Sequence, residues 1–289
     1  MKRLDGAIGV IGGSGLYSMD GLEQTEEVAV DTPFGPPSDS YIVGKIDGRP
    51  VVFLARHGRT HRLLPHELNF RANIHGFKQL GVDRIVSLSA VGSMKEEIQP
   101  LHVVVPDQFI DRTRHRVDTF FGDGVVAHVG FGDPVCPELH DVVRDAASSC
   151  GATVWPDGTY LCMEGPAFST RAESTVYRSW GVSVIGMTNL SEAKLAREAE
   201  MCYATLALVT DYDCWHEAEE DVTAQSVLEN LRANVETAQR TVRAAIASMP
   251  QARSCACGSA LQNALVTAPE QIPEEARARL DIIIGKYLQ

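Results

Sequence analysis

The chain has 289 residues and a mass of 31.4 kDa, enough to bury a sizeable core in one large α/β domain. Its 38 acidic and 26 basic residues give a net charge of −12, and no Lys/Arg block offers a basic footprint, which excludes nucleic acid and acidic membrane as partners. Hydrophobic residues at 44% and charged residues at 22% match a soluble globular protein, and no apolar run reaches the roughly 18 residues of a spanning helix.

Lys2 and Arg3 precede the apolar stretch Ala7–Ile11, as at the start of a signal peptide. Asp5 interrupts the approach and no small-x-small cleavage site follows, so the stretch reads as a strand and the chain as cytoplasmic. The strand runs into Gly12-Gly13-Ser14-Gly15, whose backbone N–H groups and Ser14 hydroxyl suit an anion but which is, taken alone, also a tight turn. A dinucleotide fingerprint needs a third glycine where Ser18 stands, and no Walker A loop occurs, so a nicotinamide oxidoreductase loses ground.

The next apolar strand, Val51–Ala55, ends in Arg56-His57-Gly58-Arg59 with His61 close behind, a concentration of cations and donors suited to an oxyanion. The spacing predicts a helix over Asn69–Leu80, feeding a strand Ile85–Leu88 that ends in Ser89-Ala90. Glu164-Gly165-Pro166-Ala167-Phe168-Ser169 places an aromatic and a hydroxyl on a turn, a face for a planar base unless Phe168 is ordinary core. Strand Val182–Ile185 leads into Gly186-Met187-Thr188, and a helix over Ser191–Met201 opens with Ser191 as its N-cap. Strand Ala204–Val209 runs into Thr210-Asp211-Tyr212-Asp213; carboxylates there are costly unless hydrogen bonded or catalytic. Val227, Leu231, Val235, Ala238, Val242 and Ile246 mark a long amphipathic helix ending near Met249-Pro250.

Near-continuous apolar strands alternating with helices imply a single α/β domain over 1–289 with a mixed, largely parallel central sheet flanked by helices. Ligands of such folds bind outside the carboxyl ends of the strands, where the polar clusters fall. Arg, His and several hydroxyls together best fit a small tetrahedral dianion, inorganic phosphate. The seven cysteines are odd in number and scattered, which fits reduced thiols. Only Cys255 and Cys257 look paired, with no second close pair and only His216 nearby, so no metal is expected.

Gly12-Gly13-Ser14-Gly15-Leu16, the stretch Asp31 to Ser38, Leu54-Ala55-Arg56-His57-Gly58-Arg59, Glu96 to Pro100, Asp107 to Thr113, Glu164-Gly165-Pro166 and Thr210 to Trp215 together resemble the 5′-methylthioadenosine phosphorylases of the trimeric purine nucleoside phosphorylase family. The resemblance runs from about residue 7 to residue 248 and fades beyond Met249. It implies reversible phosphorolysis of an N-glycosidic bond without metal or organic cofactor, inorganic phosphate being a co-substrate. Ser14, Arg56, His57, Ser89, Ala90 and Thr188 would hold phosphate, with His61 assisting. Met187 would lie under the ribose, and Phe168, Ser169, Asp211 and Asp213 would form the base site, with Asp211 as general acid. It also implies a homotrimer, or a hexamer built from it, in which His128 reaches the neighbour's 5′ pocket.

Val222, Val227 and Leu228 are the candidate apolar wall around the 5′ group, and the divergent tail from about residue 250 to 289 is expected to cap the site. Against the family pattern, Ser89 replaces a usual Thr and keeps the hydroxyl, whereas Asn189-Leu190-Ser191-Glu192 replaces a Pro-Glu and loosens that loop. Within the family, other 5′-modified adenosines (5′-deoxy or 5′-halo) and 6-oxopurine nucleosides are the alternative substrates. A 6-oxo group accepts and wants an amide donor, whereas a 6-amino group donates and wants a carboxylate such as Asp211. A non-catalytic nucleoside-binding protein would need neither Arg56 nor Asp211.

Overall fold

The structure is a computed structural model describing residues 3–13, 21–216 and 224–288, with backbone alone at 224–229 and 231–233. In chain order its strands are β1 (Ala7–Gly12), β2 (Leu22–Val28), β3 (Tyr41–Ile46), β4 (Arg49–Ala55), β5 (Val82–Ser93), β6 (Val103–Val104), β7 (Gln108–Arg112), β8 (Val154–Trp155), β9 (Thr159–Met163), β10 (Val184–Gly186) and β11 (Cys202–Asp211). Between and after them lie α1 (Phe70–Gln79), α2 (Pro137–Ser149), α3 (Arg171–Ser179), α4 (Asn189–Glu198), α5 (Ala224–Ser248) and α6 (Glu274–Ile284). The strands form one mixed sheet in the order β2-β3-β4-β1-β5-β10-β9-β7, with β11, β6 and β8 leaving it at β5. The central pairings of β5 with β1 and β11 are parallel.

Alternation along the strands explains why they look uniformly apolar. Ala7 and Ile11 face a core layer shared with α1 and α4, while Ile8 and Val10 face another shared with α2 and α5. Both faces are covered, so both sets of side chains must be apolar. Helix α1 starts after Asn69, whose side chain accepts from the Ala72 N–H at 3.1 Å, and stops at Leu80, in agreement with the spacing.

Strand β5 departs from expectation and decides where the cavity lies. It runs 12 residues, well past the predicted Leu88, because its interior hydroxyls find partners: Ser87 bonds Arg56 and Glu192, and Ser93 bonds the Lys95 carbonyl. Ser89-Ala90 is therefore mid-strand rather than at a strand's end. On one edge of β5, β1 last pairs at Ser87 and β10 first pairs at Gly92, while β11 follows the opposite edge throughout. Residues 88–91 are left without a neighbour on the first edge, and the sheet forks there.

Three further expectations are corrected. Helix α4 is capped by Thr188, not Ser191; Asn189 is already helical, its amide bonding the Thr205 hydroxyl at 2.6 Å, and Ser191 is buried inside the helix. The C-terminal tail packs Leu261, Ile272, Leu280 and Ile284 into the layer of α1 and α4, and among the described residues none of the tail lines the cavity. The cysteines are not one local pair: folding brings Cys136 and Cys202 to Cys255 and Cys257, a convergence that linear spacing cannot show. Among the described residues no helix is long and apolar enough to cross a membrane.

Candidate active site

A cavity of about 490 Å³ opens at the fork, within the usual size for a small-molecule site. It is lined at one end by Gly13, Arg56, His57, His61, Ser89, Ala90 and Thr188, and at the other by Met163, Phe168, Met187, Asp211 and Asp213. Ten of the residues singled out from sequence are thus brought together. Ser169 and His128 are not among the lining residues. Ser14 and Val222 lie outside the described residues, as do the side chains of Val227 and Leu228. The described residues through which α5 meets the cavity are Val235 and Ala238, further along the helix than the predicted wall.

The polar end is built on the turn after β4. The Arg56 N–H donates to the Gly12 carbonyl at 3.0 Å, locking that turn to the end of β1. Gly58 has φ +74°, a conformation that a side chain would strain, and it lets the chain fold back so that Leu63 meets His57. The Leu63 carbonyl can only accept, so Nδ1 of His57, 2.8 Å away, carries the proton and Nε2 is the ring's acceptor. Burial, reinforced by the Arg56 charge, lowers the His57 pKa to about 4, and His61 stacks on it at 4.6 Å between ring centres. Arg59 turns away, to Glu27 and Asp39.

Arg56 is not the free clamp that its sequence context suggests. It is buried, with Nε and Nη2 bonded to Glu192, Nη2 also to the Ser87 hydroxyl and Nη1 to the Leu88 carbonyl. Of the five guanidinium hydrogens one, on Nη1, remains for a ligand. Glu192 is itself fully buried, in the first turn of α4, and accepts further bonds from Ser87 and Tyr203 at 2.9 Å. The pair neutralises itself, so an anion here relies as much on the N-terminus of α4, where Thr188 is the cap, as on Arg56; helix N-termini favour anions. Glu192 was not among the site residues expected from sequence. The available signal was its place on the same helical face as Ala193 and Ala196.

At the other end, Asp211 terminates β11. Its Oδ2 accepts from the Thr210 hydroxyl at 2.7 Å and its Oδ1 from the Asp213 N–H at 2.8 Å. Both bonds favour the carboxylate, yet burial outweighs them and raises the pKa above the usual carboxylate range. Asp213 is raised as well, chiefly by burial, while accepting from Ser174 at 2.6 Å. From α5, Asn230 and Asn234 donate to the Thr210 and Val209 carbonyls and hold the strand end in place. Gly92 leaves room for the acid, since a Cβ there would meet Asp211 Oδ1 at 2.9 Å. Phe168 is 43% exposed at the rim, so it is available to a planar ligand and is not core. Arg116, which no sequence motif marked, has its side chain buried and donates to the carbonyls of Met163, Glu164 and Met187, joining the loops on two sides of the cavity.

A family model described as the phosphorylase superfamily matches residues 7–247. This chain belongs to that superfamily. The phosphorylase is 62% identical over 280 residues to an S-methyl-5′-thioadenosine phosphorylase of Koribacter versatilis, covering 97% of this chain and 96% of the relative. It is 58% identical to one of Geobacter sulfurreducens, covering 99% and 100%. Among solved structures, it is similar to a methylthioadenosine phosphorylase from an antarctic soil metagenomic library, with TM-score 0.92, 48% identity and coverage of 97% and 99%. It is also similar to the methylthioadenosine phosphorylase of Schistosoma mansoni in complex with adenine, with TM-score 0.78, 34% identity and coverage of 84% and 91%.

Proposed function

We propose that this chain is a pentosyltransferase that cleaves 5′-methylthioadenosine with inorganic phosphate, releasing adenine and 5-methylthioribose 1-phosphate. The observation that carries the reading is one cavity with an anion-binding end at Arg56 and the α4 N-terminus and, at the other end, the partly buried carboxyl of Asp211, whose pKa burial raises. A phosphate oxygen forms the bond to the anomeric carbon as the C–N bond breaks and its electron pair passes to the purine. Positive charge on the sugar is met by the phosphate dianion, and negative charge on the base is met by the Asp211 proton delivered at N7. Ser14, Arg56, His57, Ser89, Ala90 and Thr188 hold the phosphate, with His61 at the rim. Met187 lies under the ribose, and Phe168 and Asp213 complete the base site. No organic cofactor enters, and the reduced thiols and lack of a basic patch suit a cytoplasmic enzyme.

A panel of adenosine, inosine, methylthioadenosine and 5′-deoxy or 5′-halo analogues, with and without phosphate, tests the reading. Adenine release should depend on phosphate, and kcat/KM should be higher for methylthioadenosine than for adenosine. Val235 and Ala238 are apolar neighbours for a 5′ substituent, whereas an unpaired buried hydroxyl costs about 1–3 kcal/mol. Equal values for the two substrates would mean that the 5′ hydroxyl has a partner, and phosphate-independent release would refute phosphorolysis.

The working assembly is a homotrimer in which His128 completes the neighbour's 5′ pocket. His128 is exposed and its backbone is pinned by the Ala264 carbonyl at 2.9 Å, so it is held outward from its own chain. His128→Ala should reduce kcat/KM for methylthioadenosine about tenfold or more while the trimer persists, by loss of a substrate-positioning contact. A fully active monomer at assay concentration would overturn the shared site.

A further inference from the structure

Four thiols gather far from the cavity's chemistry. Cys202 begins β11, Cys136 is the N-cap of α2, and Cys255 and Cys257 flank Ala256 in the turn after α5. Their four sulfurs all lie within 4.8 Å of one another, with Cys202 and Cys255 at 3.3 Å. A tetrahedral zinc ion with Zn–S bonds near 2.3 Å requires sulfurs about 3.8 Å apart. Three of the residues are buried and Cys255 is partly so, and none of the four is bridged. Mutual proximity of all four is the arrangement a central ion needs, whereas pairwise disulfides need only two close pairs.

We propose that Cys136, Cys202, Cys255 and Cys257 form a structural tetrathiolate site for a zinc ion, which fastens the C-terminal segment to β11 and α2. All-sulfur, closed and buried sites are those of structural zinc, with no position left for a reacting ligand. Each thiol gives its proton to solvent on ligation, so loading releases up to four protons and leaves the ion and its thiolates with a net charge of minus two. A countercharge is present. Arg84 stands opposite Cys202 in register and is buried; its Nη1 pairs with Asp83 at 3.0 Å and Glu138 is 3.9 Å from Nη2, while Nε and Nη2 make no hydrogen bond. Arg253, two residues before Cys255, is tied to the Glu200 and Asp83 carbonyls.

The sequence expected no metal because Cys255 and Cys257 lack nearby partners in the chain. The missing half of the site comes from two distant segments that the sheet brings alongside. The ion would therefore join three stretches of chain, one of them the tail that buries Leu261 and Leu280.

The full-length chain, purified without metal-affinity resin or chelator, should carry about one zinc per chain by elemental mass spectrometry. After chelation under reducing conditions, added Co²⁺ should produce thiolate charge-transfer and tetrahedral d–d absorption saturating at one equivalent. Removal of the ion should lower Tm by about 10 °C or more, and zinc should restore it. The double variant Cys255→Ser/Cys257→Ser should lose the cobalt spectrum. Should that variant not fold, metal content and the cobalt titration of the wild-type chain decide alone. A reduced wild-type chain that retains less than about a tenth of an equivalent after zinc exposure and desalting overturns the proposal. So does an isolated chain whose four cysteines are found as two disulfides.

Discussion

Asp211→Asn is expected to lower kcat/KM for methylthioadenosine by about 10²–10⁴-fold at saturating phosphate, the usual loss on removing a general acid. Asparagine fills nearly the same volume beside Gly92; its Oδ1 can still accept from the Asp213 N–H, and its amide NH2 can donate to the Thr210 hydroxyl, which is free to donate to the Val91 carbonyl instead, so the strand end should persist and the loss should be chemical. The substitution also replaces an acceptor with a donor opposite the 6-amino group. Inosine should consequently gain on methylthioadenosine in relative kcat/KM, even as both absolute rates fall. Burial raises the Asp211 pKa, so the acid form persists above the usual carboxylate range, and activity that needs its proton should fall as pH rises through that raised value. The Asn variant has no such proton and should lack that limb of the profile. Turnover within a few fold of wild type, with the limb retained, would assign the acid elsewhere, Asp213 being the next buried carboxyl in the cavity.

The strands and helices that position this acid were legible because their signals are local and strong. Ala204–Val209 is a run of apolar residues that only a doubly covered strand tolerates, and the residues after it had to meet the site at its end. The spacing over Asn69–Leu80 announced α1, which starts after Asn69. Two kinds of information were not local. The length of β5 depends on partners for Ser87, Ser89 and Ser93 supplied by Arg56, Glu192, Tyr160 and the turn after the strand, so polar residues that look like a strand's end are interior. The partners of Arg56 and of Cys255 likewise lie more than a hundred and about fifty residues away respectively, and no spacing rule links them. Sequence reading found the groups able to carry the chemistry. It could not show which of their hydrogen-bonding atoms are already occupied.

That distinction predicts two separable roles for Arg56. Arg56→Met should destabilise the fold by about 3–5 kcal/mol, the cost of breaking a buried ion pair from one side, because Glu192 keeps only the Ser87 and Tyr203 hydroxyls inside a fully buried site. Arg56→Met/Glu192→Leu removes both charges and fills the space with apolar groups, which is often neutral or stabilising. Its denaturation midpoint should return close to that of the wild-type chain. Its KM for phosphate should not return, since the remaining Nη1 hydrogen is lost in both variants and hydrogen bonds to charged groups contribute about 1.5–3 kcal/mol. Glu192→Gln keeps Arg56 and its ligand-facing hydrogen but leaves a buried guanidinium without a countercharge until phosphate binds. That variant should be less stable alone and be raised in Tm by phosphate more than wild type is, because ligand that binds only the folded state stabilises it by mass action. Unchanged stability in Arg56→Met would show that the pair is not the buried support of this site. Recovery of phosphate KM in the double variant would place the anion wholly on the α4 N-terminus and the neighbouring hydroxyls.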